Sequence, residues 1–372
     1  MARPGGCLKA AIIGGGFAGC AAARQLNSLG WKVSIFERGN TLGAGVRTKF
    51  LSGHPYTFGP RHFLTKNQKV FEYLDSIVPM RMLEHRFLTY LEDERDFFSY
   101  PIALSEVPRM WSASVIEGEL AALSEDEPQN LEEYWIGKVG KTLYSKFIEK
   151  YSKKMWRISD NRELDIFDWS PKGTPLKTDS SHAWSEAISA YPVARDGYND
   201  FFDNVTTMGE VRYNTAVVVL DADTLKLSID GVEQSFDAIV NTIPLDDLFG
   251  PLFGVLPYVG RDMQMVILPL EFALPKDVFF LYYANNEPHT RIVEYKKFTG
   301  YTSKNTLLGI ETPSANGKHY PLPMKKWKSV HEQYKALLPP RFYSIGRAGS
   351  YDYKVDIDDC VEQAMQIAEE LR

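Results

Sequence analysis

Gly14-x-Gly16-x-x-Gly19, followed by Glu37, is the constellation in this chain best suited to chemistry. Gly14 permits a tight turn, Gly16 lets a pyrophosphate approach the backbone, and Gly19 lets a helix pack on the preceding strand. The N-terminus of that helix, at Phe17 and Ala18, then faces the phosphates with unsatisfied N–H groups and the positive end of its dipole. Glu37 can accept hydrogen bonds from both hydroxyls of an adenosine ribose, which favours FAD or NAD over NADP. Arg38 beside it leaves a 2′-phosphate open.

The elements that must hold these residues are legible around them. Ala10-Ala-Ile-Ile13 is an apolar run of the kind a buried parallel strand needs. Residues 20–29 predict a helix stopped by Gly30, and residues 31–37 a second strand, completing a βαβ unit. Arg3 and Lys9 ahead of the Ala-rich run resemble a signal peptide, but Gly14, Gly15, Gly16 and Gly19 interrupt its apolar region, and that reading is rejected. From about Phe87 to Trp169 the spacing turns helical. Leu131, Tyr134, Trp135, Val139, Leu143, Phe147 and Tyr151 recur as one buried helix face would. Ser170-Pro-Lys-Gly-Thr-Pro175 reads as a connector. Residues 211–240 read as strands with a hairpin turn at Asp230-Gly231, and 263–270 and 278–283 as further strands. Residues 341–346 and 358–371 return to strand, turn and helix, so the two ends of the chain meet in one nucleotide domain. The expected fold is α/β. A Rossmann-like FAD-binding domain comprises 1–85, 195–250 and 335–372, with an inserted helical subdomain over 86–170. An antiparallel-sheet substrate domain comprises 171–194 and 251–334.

Composition excludes other classes. The chain has 372 residues, ample for more than one domain, and 42 basic against 48 acidic side chains give a net charge of −6, so no basic field exists to hold nucleic acid. No stretch is long and apolar enough for a membrane span. Three scattered cysteines make neither a disulfide framework nor a CxxC metal site and fit a reducing cytoplasm. Seven scattered histidines without an HExxH pattern leave no metal site to expect.

Glu37-Arg-Gly-Asn-Thr-Leu-Gly43-Ala-Gly45-Val-Arg47-Thr48 resembles the second glycine-rich stretch of FAD-binding proteins, and Gly346-Arg347-Ala-Gly349 ahead of a helix would complete such a site, which favours FAD over NAD. Further segments, in order, are similar to the UDP-galactopyranose mutase family. Gly59-Pro-Arg-His-Phe-Leu-Thr65 resembles its Gly-Ala-His-x-Phe-His-Thr loop, and Tyr151-Ser-Lys-Lys-Met-Trp156 its Tyr-Thr-x-Lys-Gln-Trp segment. Tyr191-Pro-Val-Ala-Arg-Asp-Gly-Tyr198 resembles its Pro-x-Gly-Gly-Tyr turn. Asn241-Thr-Ile-Pro-Leu-Asp246 resembles its Thr-Gly-Pro-Ile-Asp. Pro288-His-Thr-Arg-Ile-Val-Glu-Tyr-Lys296 resembles its Pro-Tyr-Thr-Arg-Ile-Ile-Glu-His-Lys. Tyr320-Pro321 and Gly346-Arg-Ala-Gly-Ser-Tyr-Asp-Tyr353 complete the series.

The resemblance implies an isomerase that interconverts pyranose and furanose forms of a nucleotide-diphosphate sugar. Reduced FAD would supply N5 as the nucleophile at the anomeric carbon, with no catalytic side chain, and NAD(P)H or another reductant would prepare the flavin. It further implies that Arg291 clamps the diphosphate, that Tyr320 and Tyr353 donate hydroxyls to it, that Trp156 lines the sugar pocket and that Trp184 stacks on the base. Gly14, Gly16, Phe17, Ala18, Gly19, Glu37, Arg38, Gly45, Val46, Arg61, His62, Arg347 and Asp356 form the cofactor set. Three departures stand out. Lys177 occupies the place of a second phosphate arginine and would offer only a point charge. Arg61 and Leu64 stand where the family has histidine, so Arg61 could instead meet a polar or anionic group on the sugar. Val355 with Asp356 suggests a one-residue shift beside the ribityl chain. An amine-oxidase-like flavin oxidoreductase and a noncatalytic nucleotide-sugar or FAD-binding protein are the competing readings, and a homodimer is left open.

Overall fold

The computed structural model describes residues 7–123, 126–167, 175–179, 182–184 and 186–372. Strand β1 (Lys9–Ile13), helix α1 (Phe17–Ser28) and strand β2 (Lys32–Phe36) form the expected βαβ unit. β1 lies between β2 and the strand Ala238–Asn241. Glu210–Arg212 and Phe342–Ser344 extend a five-stranded, wholly parallel sheet. Both faces are covered: Ala10 and Ile12 enter one apolar cluster, Ala11 and Ile13 another. That explains why β1 reads as a continuous apolar run rather than an alternating one.

The helical texture expected from Phe87 begins later than the sequence suggests. Arg86–Leu91 and Asp96–Tyr100 are strands. Phe87, Thr89 and Leu91 are buried while Arg86, Leu88 and Tyr90 are only partly so, a period of two that the abundance of aromatic residues disguised. These strands join a seven-stranded sheet. Its order is Tyr320–Pro321, β3 (Tyr258–Leu268), Thr306–Ser314, Arg291–Glu294, Val278–Tyr283, Arg86–Leu91 and Asp96–Tyr100. Every pairing is antiparallel except that of Val278–Tyr283 with Arg86–Leu91.

Helix α2 (Leu131–Tyr144), broken at Gly140, runs through a π-helical turn at Ser145–Glu149 into α3 (Lys150–Trp156). Asn130 caps α2 by accepting from the Glu133 N–H at 3.0 Å. Leu131, Trp135, Val139, Leu143 and Phe147 are buried as the spacing predicts, while Tyr134 and Tyr151 are half-buried. This face packs in one cluster with Phe87, Phe280 and Val293 of the seven-stranded sheet. The hairpin turn at Asp230-Gly231 is present, both residues having positive φ. Of the expected connector only Pro175 falls within the described residues. Helix α4 (Ile357–Glu370) returns the chain to the parallel sheet, packing on α1.

Candidate active site

The N-terminal turn is built as its glycines require. Gly14 has φ +96°, and a Cβ there would lie 2.4 Å from Thr242 Oγ1. A Cβ on Gly19 would lie 2.0 Å from the Gly14 carbonyl oxygen, so α1 packs against the turn as only glycine allows. Gly16, at the N-cap of α1, makes no side-chain cap, the first turn carries no acidic residue, and nothing lies within 4 Å of where a Cβ would project. The amides there face open space, which suits a dinucleotide pyrophosphate. The Glu37 carboxylate accepts the Gly15 and Gly39 N–H groups at 2.7 and 2.6 Å, which fixes it at the end of β2. Arg38 is exposed. Gly45 and Val46 form a short 3₁₀ turn, with the Arg61 guanidinium 3.5 Å from where a Cβ on Gly45 would be.

Arg61 also lines a cleft of two chambers that reaches the helical region. One chamber is walled by aromatic side chains including Tyr100, Trp135, Tyr151 and Trp156. The other is lined by Arg61, His62, Leu64, Trp184, Arg347 and Asp356. Tyr282, Arg291, Tyr320 and Tyr353 line both and mark the junction. Trp156 and Tyr320 meet Tyr353 at ring distances of 4.9 and 5.9 Å.

Positive charge is concentrated at this junction. Arg291 is held bidentately by Glu311, Nε to Oε1 at 3.0 Å and Nη2 to Oε2 at 2.6 Å. Arg347 donates from Nε to the Val355 carbonyl at 2.8 Å, has Asp356 at 3.6 Å and lies over the Tyr320 ring. Arg261 comes from β3, bonds its neighbour's carbonyl and sits 4.7 Å from the Tyr320 ring centroid. Among the described residues neither Arg261 nor Arg61 is ion-paired, and the Nε of each is buried without a partner. Burial alone would raise the Tyr320 phenol, but the combined fields of Arg61, Arg261, Arg291 and Arg347 hold it below its ordinary value. Burial and the same cationic surroundings push His319 down to about 4. Such a site is built for an anion that its own carboxylates do not neutralise.

The structure brings Arg291, Tyr320, Tyr353, Trp156, Arg61, His62, Arg347 and Asp356 to one cleft. Asp356 is also committed to capping α4, accepting from Ile357 N–H at 2.9 Å in a box with Asp359. Trp184 lies in the chamber with Arg61, beside His62 at 5.6 Å, and not in the aromatic chamber with Trp156. Lys177 does not reach the cleft walls. Its ammonium donates to the His182 carbonyl, on a strand paired with Ile102–Ala103. The acid beside Arg291 is Glu311, its direct cross-strand partner, whereas Glu294 engages Thr306 and the Ala273 and Leu274 amides. Sequence reasoning missed Arg261, Glu311, Tyr151 and Tyr282. The available signal for Arg261 was that it is the one basic residue in the strand Tyr258–Leu268.

A parallel-sheet dinucleotide fold joined to a cationic, aromatic cleft defines a nucleotide-dependent enzyme class. A family model for UDP-galactopyranose mutase matches residues 146–353, and one for an NAD(P)-binding Rossmann-like domain matches residues 12–77. The chain belongs to the UDP-galactopyranose mutase family, a family of isomerases, as its ordered motifs led us to expect. It is 24% identical to a probable UDP-galactopyranose mutase of Klebsiella pneumoniae, over 96% of this chain and 93% of that one. It is 23% identical to a dTDP-fucopyranose mutase of Escherichia coli, over 97% of both chains. A crystal structure of reduced UDP-galactopyranose mutase superimposes with a TM-score of 0.85 at 17% identity, covering 98% of this chain and 95% of the other. Among the described residues no helix is long and apolar enough to cross a membrane, and no cluster of metal-ligating side chains occurs.

Proposed function

We propose that the protein is an FAD-dependent mutase interconverting pyranose and furanose forms of a nucleotide-diphosphate sugar. The observation that carries this reading is the convergence of four guanidinium groups on Tyr320 beside a dinucleotide-binding turn. Among the described residues two of the four, Arg61 and Arg261, are in no ion pair and each has a buried, unpartnered Nε, which suits the two charges of a diphosphate.

The residues present fit FAD. Gly14, Gly16, Phe17, Ala18 and Gly19 would hold its pyrophosphate and Glu37 its ribose. Gly45, Val46, Arg61, Arg347 and Asp356 would flank the remainder, and His62 lies in the same chamber as the last three of these. Bound reduced flavin would supply the nucleophile, through N5, and NAD(P)H is one reductant that could prepare it. The protein then has to hold the departing diphosphate, orient the sugar and keep water out. Arg261 carries uncompensated charge, Arg291, already paired with Glu311, serves as a preorganised hydrogen-bond donor, Tyr320 and Tyr353 donate hydroxyls, and the buried Trp156 closes the aromatic chamber.

The test is turnover by dithionite-reduced protein with a panel of nucleotide hexoses, pentoses and deoxyhexoses that includes UDP-galactose and dTDP-fucose. Furanose product should form with far less than one equivalent of reductant consumed per product. One equivalent per product would move the assignment to a flavin oxidoreductase, and no turnover across the panel to a noncatalytic binding protein.

A further inference from the structure

His62 and Leu64 stand two residues apart at the start of a short strand, so they share a face, and both line the chamber that holds Arg61 and Arg347. Leu64 is buried and apolar. His62 is half-exposed as a residue, yet both its ring nitrogens are shut off from solvent and neither has a hydrogen-bond partner among the described residues. Its surroundings supply none. Phe298 stacks on the ring at 5.5 Å, His85 meets it edge-on at 5.3 Å and Trp184 tilts against it at 5.6 Å. Burial and the charge of Arg291 hold the imidazole neutral, pushing it down to about 3. A neutral imidazole carries one donor and one acceptor, and leaving both empty in a dry site is costly. A phosphate or carboxylate offers acceptors only and is already served by the guanidinium groups. A hydroxyl offers a donor and an acceptor together.

We propose that His62 is a specificity residue that binds a hydroxyl group of the substrate's sugar ring. The inference rests on the mutase reading and adds to it that recognition of the sugar resides at His62, whereas recognition of the diphosphate resides at the arginines.

Calorimetric binding to the holoprotein tests this without turnover. Wild type, His62→Phe and His62→Gln are titrated with UDP, dTDP, UDP-galactose, dTDP-fucose and analogues deoxygenated at single sugar positions. Melting curves and flavin midpoint potentials are recorded in parallel. His62→Phe should bind the free diphosphates within about twofold of wild type and a nucleotide sugar roughly tenfold to hundredfold more weakly. It should also lose the ability to distinguish the sugar from one deoxygenated analogue. His62→Gln, whose amide keeps a donor and an acceptor, should recover part of the loss. Equal weakening of diphosphate and sugar, unchanged discrimination, or a shifted flavin potential with sugar affinity intact would each overturn the proposal. If wild type shows no preference for any nucleotide sugar over its free diphosphate, the mutase reading falls and this inference with it. If wild type shows the preference and His62→Phe keeps it, this inference alone falls.

Discussion

Arg291 and Glu311 are direct cross-strand partners, and the guanidinium that enters the cleft is already gripped at both ends by a carboxylate that is almost entirely buried. The pair neutralises itself, so Arg291 is a preorganised hydrogen-bond donor more than a free charge. Removing the arginine would strand Glu311 in the interior. Arg291→Ala should therefore lower kcat/KM roughly 30-fold to 1000-fold and also cost about 3 to 5 kcal/mol of stability. Adding Glu311→Leu should restore most of the melting temperature and none of the activity. Denaturant titration and steady-state kinetics on the single and double variants check this. A stable, active Arg291→Ala protein would remove the clamp from the mechanism.

Arg261, ion-paired to no carboxylate in the described structure, should carry more of the diphosphate's charge than Lys177, whose ammonium is turned to the His182 carbonyl. Arg261→Met should weaken UDP or dTDP binding at least tenfold. Lys177→Ala should change it less than about threefold, in keeping with the modest worth of an exposed cation. Calorimetry decides between them. A larger loss from Lys177→Ala would mean that its strand moves into the cleft when ligand binds.

Gly16 and Gly14 separate folding from cofactor binding. Open space surrounds the position of a Cβ on Gly16, where φ is −73°, so Gly16→Ala should fold normally yet lose flavin because its methyl occupies the approach to the α1 amides. Gly14→Ala combines a positive φ with a clash against Thr242 and should lose stability as well. Absorbance at the flavin band and melting curves of stripped protein read the two effects apart. Full flavin content in Gly16→Ala would place the pyrophosphate elsewhere.

Burial and nearby arginines hold His319 neutral, at about 4 against an ordinary 6.5. Between those values the unfolded chain binds the proton and the folded chain does not, so stability falls as pH falls from about 6.5 towards 4. His319 stacks on Phe58 at 4.7 Å, and His319→Phe keeps that stacking while removing the proton site. Urea midpoints of ligand-free protein at pH 7.5, 5.5 and 4.5 should decline less steeply in the variant. Parallel declines would show that groups other than His319 dominate the acid response.

The dinucleotide half was legible because its constraints are local: a turn, a helix N-terminus and an acid ending β2 lie within one βαβ unit. The second half was less so. Arg86–Leu91 pairs with the nearby Asp96–Tyr100 and carries a period of two that its aromatic residues masked, while its parallel pairing with Val278–Tyr283, far along the chain, is beyond what short-range spacing can report. Glu311 was invisible for the same reason, since its meaning comes from register with Arg291. Lys177 was placed by motif alignment, and its departure from arginine marked the position where the family pattern ceased to guide.

The parallel sheet has a consequence for biosynthesis. One edge strand, Phe342–Ser344, and the helix α4 that packs on α1 are made long after the glycine-rich turn. The apolar residues of α1 that α4 covers therefore leave the ribosome well ahead of their partner. Through that interval α1 is an expected site for a chaperone to engage the nascent polypeptide.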